Sequence, residues 1–66
     1  MTANEIIDKL QKRFIGASVD FITEEDGVKS FLFQGRGYTL VAHVYEDGTC
    51  RFVDVINHKR IKSIQL

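Results

Sequence analysis

Along this chain the spacing of apolar residues changes once. Near the N-terminus Ala3, Ile6, Ile7, Leu10 and Phe14 recur at three- and four-residue intervals, which gathers them on one stripe of a helix. From Ala17 to Ile56 short β-prone stretches take over. They are broken by Glu24-Glu25-Asp26-Gly27, Gly35-Arg36-Gly37 and Glu46-Asp47-Gly48, and such regular turn signals are those of consecutive hairpins. The pattern predicts an α+β fold: one N-terminal amphipathic helix packed on a four-stranded antiparallel meander, or a five-stranded one if the last segment also pairs.

Local signals bound these elements. Thr2-Ala3-Asn4-Glu5 fits a capping box, with the Thr2 hydroxyl at the N-cap and the Glu5 carboxylate reaching back. Glu5 precedes Lys9 and Asp8 precedes Lys12 in the favourable order for ion pairs along a helix, and Gly16 suits a left-handed residue just past its end. The helix is therefore expected over 3–15, and strands over 17–23, 28–34, 38–45 and 49–56. Asn57-His58-Lys59-Arg60 offers a turn into a fifth strand at 61–66. Ile61 and Ile64 also suit a short helical turn, and strand four could run on; the fifth strand is preferred.

Register follows from asking which turn puts the apolar residues on one side. A three-residue loop at Glu46-Asp47-Gly48, with Gly48 left-handed, pairs Val44 with Cys50; a two-residue turn would slip the pairing and set Val44 opposite Arg51. The same three-residue geometry at Glu25-Asp26-Gly27 sets Phe21 opposite Phe31. A two-residue turn at Arg36-Gly37 places Phe33 across from Leu40. The three turns agree on an inner face of Val19, Phe21, Phe31, Phe33, Leu40, Ala42, Val44, Cys50 and Phe52, which the helix stripe has to cover. Phe14 and the inner phenylalanines are expected in the core, and Cys50 acts there as a small hydrophobe.

The opposite face then carries Asp20, Ile22, Ser30, Leu32, Val41, His43, Tyr45, Arg51, Val53 and Val55. A solvated sheet face is mostly polar, and this one is not. The expectation is an association face made by Ile22, Leu32, Val41, His43, Tyr45, Arg51, Val53 and Val55, with Asp20, His43 and Arg51 as its polar rim.

Size strengthens that expectation. The 66 residues make a single domain, 1–66, and a chain this short buries only about 60% of its unfolded surface. Such scaffolds use a disulfide, a metal or a partner. Cys50 is the only cysteine, and His43 and His58 do not complete a structural zinc site. Association remains, as a homodimer or with a protein partner. One unpaired cysteine agrees with a reducing, cytoplasmic setting. Neither a signal peptide nor an apolar run able to span a bilayer is evident.

Nine basic and nine acidic residues cancel, yet the meander would separate them. Glu24, Glu25, Asp26, Glu46 and Asp47 fall at one end of the sheet, where ordinary turn chemistry accounts for them. Lys12, Arg13, Arg36, His58, Lys59 and Arg60 are assigned to the other end as a candidate polyanion-binding pole, which keeps nucleic acid as the alternative partner. No catalytic, cofactor or metal motif occurs, and Cys50 and His43 are expected on opposite faces. The chain reads as a small non-catalytic protein-interaction or regulatory module without a small-molecule substrate.

Overall fold

The helix begins where its cap is strongest. In the computed structural model, which describes residues 1–66, helix α1 spans Ala3–Arg13. Glu5 N–H donates to Thr2 Oγ1 at 3.2 Å and Thr2 N–H donates to Glu5 Oε1 at 2.9 Å, so two N-terminal donors are satisfied reciprocally. Lys12 pairs with Asp8 at 2.9 Å on the exposed side. The helix stops two residues before the expected Ile15, because Phe14 leaves helical geometry as the C-cap. Its ring meets Phe33 and Phe52 edge-on, at centroid distances of 5.3 and 5.8 Å. Ile15 is left 93% exposed, and Gly16 takes the left-handed conformation at φ +91°.

Five antiparallel strands follow in sequence order: β1 (Ser18–Glu25), β2 (Val28–Gly35), β3 (Tyr38–Val44), β4 (Thr49–Asp54) and β5 (Lys59–Gln65). The fifth strand forms and begins two residues earlier than expected. Strand β4 ends at Asp54 instead of 56. The Asp54 carboxylate accepts from Ile56 N–H, Asn57 N–H and Asn57 Nδ2, an Asx turn that takes Val55 and Ile56 out of the sheet.

The central pairings stand as the apolar pattern requires: Phe21 with Phe31, Phe33 with Leu40, Phe31 with Ala42, Val44 with Cys50. The second acidic loop is the expected three-residue one, with Tyr45 N–H on Thr49 O at 2.9 Å and Gly48 at φ +88°. The first is not. Asp26 and Gly27 both have positive φ, +52° and +79°, as a two-residue type I′ turn demands, and Glu25 pairs with Val28. A bulge between Phe21 and Thr23 absorbs the extra residue, so the pairing of Phe21 with Phe31 survives.

The core lies between α1 and the inner face. Ile6 and Leu10 of the helix close over Val19, Phe31, Phe33, Leu40, Ala42, Val44, Cys50 and Phe52, with Ile7, Phe14, Ile64 and Leu66 at its margin. Phe21 departs from expectation. Its ring still meets Phe31 edge-on at 5.6 Å, but it is 46% exposed, because it sits on edge strand β1 at the bulge.

Candidate interaction face

Each strand sends alternate side chains outward, and the ladder aligns them in rows. One row crosses the whole sheet. Asp20 pairs with Leu32, Leu32 with Val41, Val41 with Val53, and Val53 with Arg60. Leu32, Val41 and Val53 are partly buried and contiguous on the three central strands, with an acid at one end of the row and a guanidinium at the other. The neighbouring row holds Ser30, His43 and Arg51. Ser30 Oγ and His43 Nδ1 lie 2.8 Å apart, which orients the imidazole. The Arg51 guanidinium sits 5.2 Å from the Tyr45 ring centroid, a cation–π contact.

These two rows border an open cleft of about 450 Å³, lined by His43, Tyr45, Arg51, Val53, Arg60 and Ser63 among others. The chain's ion pairs are Asp8 with Lys12 and Glu24 with Lys29, so neither Arg51 nor Arg60 is held by a carboxylate of its own chain. Of the eight residues expected on this face, Leu32, Val41, His43, Tyr45, Arg51 and Val53 are brought together. Ile22 lies at the β1 bulge and Val55 in the β4–β5 turn, both exposed and outside the regular ladder.

Of the six candidate polyanion-binding residues, Arg36, His58 and Lys59 fall at one end of the sheet, where the β2–β3 and β4–β5 turns lie, while Arg13 and Arg60 are directed elsewhere. Arg13 Nη1 donates to the Gln65 carbonyl at 3.0 Å, at the opposite end of β5 from Lys59. Lys12 is engaged by Asp8. Arg60 turns onto the outer face beside Val53, and Lys59 pairs across from Asp54. His58 is exposed in the turn at φ +56°, and Arg36 tips the β2–β3 turn. The acidic loops do adjoin: a Cβ on Gly27 would meet Glu46 Oε1 at 2.5 Å. No three His, Cys, Asp or Glu side chains converge to hold a metal ion.

Electrostatics elsewhere are local. The Thr49 N–H, at 2.9 Å from Asp47 Oδ1, holds the Asp47 carboxyl below its ordinary range. The Asn57 side-chain and backbone donors do the same to Asp54, and the Thr2 backbone and hydroxyl to Glu5. Burial pushes the Cys50 thiol up to about 11, so it is not a nucleophile near neutral pH, and it faces away from His43.

Two features escaped the sequence pattern. Arg60 could be placed on a face only once β5 had a register. On the helix side, α1 leaves an apolar groove of about 340 Å³ between Phe14, Phe33, Tyr38, Phe52 and Ile61. Exposed Ile15 and Ile56 are further apolar side chains that the pattern had assigned to regular elements.

No helix is long and apolar enough to cross a membrane. Comparison with protein-family models, curated proteins and solved structures finds no match.

Proposed function

We propose that this chain is a small non-catalytic interaction module that binds a protein partner through the outer face of its sheet. The observation that carries the reading is the composition of that face: a contiguous Leu32–Val41–Val53 strip beside a cleft formed by Tyr45, Arg51 and Arg60. Tyrosine and arginine next to desolvatable aliphatic surface are the residues that dominate protein interfaces. The small core supports the reading too, since ten buried residues without a disulfide gain from burial outside the chain. A reducing, cytoplasmic setting fits the single free, buried Cys50.

The test is Val41→Glu, at the centre of the strip. A carboxylate there would be desolvated on docking, so the variant should lose association while keeping its circular dichroism spectrum and a cooperative urea transition, its midpoint lowered only by the stability that association supplies. Self-association is read as mass by light scattering, and hetero-association as co-purification. A folded Val41→Glu chain that keeps every association of the wild type overturns the proposal.

A further inference from the structure

We infer that the partner on this face is a second copy of the chain, packed sheet to sheet about a two-fold axis that runs along β3. The inference rests on the interaction reading above and adds the identity and orientation of the partner.

The row Asp20–Leu32–Val41–Val53–Arg60 takes one residue from every strand. Two outer faces can meet about a two-fold axis lying between them, either along the strands or across them. An axis across the strands sets each strand over its own copy. Asp20 then faces the partner copy's Asp20 and Arg60 the partner copy's Arg60, and like charges brought together in an interface cost affinity. An axis along β3 reverses strand order, so β1 lies over β5 and β2 over β4. Every position in the row then finds its complement. Asp20 meets Arg60 twice, Leu32 meets Val53 twice, and Val41 meets Val41 on the axis.

The same operation treats the neighbouring row equally well. Arg51 comes over the partner copy's Ser30, and His43 faces His43 with its Nδ1 already engaged by Ser30. No cation is set against a cation in either row. Sheets pack about 10 Å apart, a gap that the aliphatic strip fills at the centre and that an arginine–aspartate pair spans at the rim. Both rim groups are available: Arg60 has no carboxylate partner within its chain, and Asp20 has only the Ser18 hydroxyl at 3.5 Å. A two-fold contact requires a surface that is complementary to itself. This row is antisymmetric in charge and symmetric in hydrophobicity, as that requirement demands.

The experiment is a charge reversal read by light scattering on the full chain across concentration at low salt. Wild type is expected at twice the chain mass. Asp20→Arg alone and Arg60→Asp alone each set like charges together at both rims, and each should raise the dimer dissociation constant at least tenfold. Mixing the two single variants should restore the dimer, because each then supplies the complement the other lacks, and the double variant Asp20→Arg/Arg60→Asp should dimerise by itself. A wild type that stays monomeric overturns the second-copy inference alone, leaving the interaction module to a different protein. A dimer lost in Val41→Glu but indifferent to the charge reversals overturns the orientation and leaves the face. A dimer that survives Val41→Glu overturns both.

Discussion

The same three residues, Glu-Asp-Gly, close two hairpins of this chain and do so differently. At 46–48 they make a three-residue loop with Gly48 left-handed; at 25–27 Glu25 stays in its strand and only Asp26 and Gly27 turn. The surroundings decide. The 46–48 loop is tied down by the last residues of β5 and its end: Leu66 N–H donates to Gly48 O at 2.8 Å, and Gln65 Nε2 to Asp47 O at 2.6 Å. Thr49 N–H adds a bond to Asp47 Oδ1. The 25–27 turn belongs to an edge hairpin that adjoins only the flexible Glu46 side chain and has no hydrogen bond to another segment, so it takes the type I′ turn that Asp-Gly favours. The displaced residue becomes a bulge in β1, where edge strands tolerate one. Local sequence chose among turns only where tertiary contacts were silent.

The largest test of that contrast is in the core each hairpin contributes. Phe52, buried under Phe14, should cost about 3–5 kcal/mol on truncation to alanine. Phe21, half exposed at the bulge, should cost about 1–2 kcal/mol. Urea unfolding of Phe52→Ala and Phe21→Ala measures both; equal losses would mean that the bulged edge is as well packed as the centre.

A smaller effect separates the two glycines. Both have positive φ, where a side chain costs about 1–2 kcal/mol. At Gly48 an added Cβ would also stand 3.1 Å from the Leu66 carbonyl oxygen and 2.8 Å from Gln65 Nε2, whereas at Gly27 it meets only the flexible Glu46 side chain. Gly48→Ala should therefore fall at about 2 kcal/mol and Gly27→Ala at about 1 kcal/mol. Thermal melts that rank them the other way would show that the β5 contacts do not hold the second loop.

The smallest effect is acid sensitivity. The Asp47 carboxyl is lowered by the Thr49 N–H, so it binds protons more weakly folded than unfolded. Its contribution is present above the ordinary carboxylate range and is lost as pH falls through that range toward the folded value. Asp47→Asn keeps an acceptor for Thr49 but cannot titrate, and its urea midpoint should fall less steeply below about pH 4. An acid limb identical to wild type would remove Asp47 from the account.

Much of the fold was legible because three turns had to agree on one apolar face. Phe31, Phe33, Leu40, Ala42, Val44, Cys50 and Phe52 all lie on it. What escaped was set by polar turn contacts and packing that apolar spacing does not encode. Phe14 breaks the helix to reach Phe33 and Phe52, which strands Ile15 in solvent; the Asp54 turn removes Val55 and Ile56 from β4; the bulge exposes Phe21. On the outer face the apolar strip could be read by alternation. Arg60 could not, since its side of the sheet depends on the β4–β5 register, which the Asp54 turn sets by ending β4 at Asp54 and pairing it with Lys59.

Spatial order equals chain order throughout this sheet, and that bears on how fast the native state is reached and left. Each strand pairs with its immediate successor, so every hairpin forms by closing a short loop, and structure can spread outward from whichever one nucleates. The contact between Arg13 and the Gln65 carbonyl, 52 residues apart in sequence, is of another kind. It ties the end of the first element to the end of the last, and it can form only after the sheet has been laid down. An interaction absent from the transition state slows unfolding without speeding folding. This single guanidinium is thus expected to act as a latch on the finished molecule: Arg13→Gln should speed unfolding in stopped-flow measurements and leave the refolding rate unchanged.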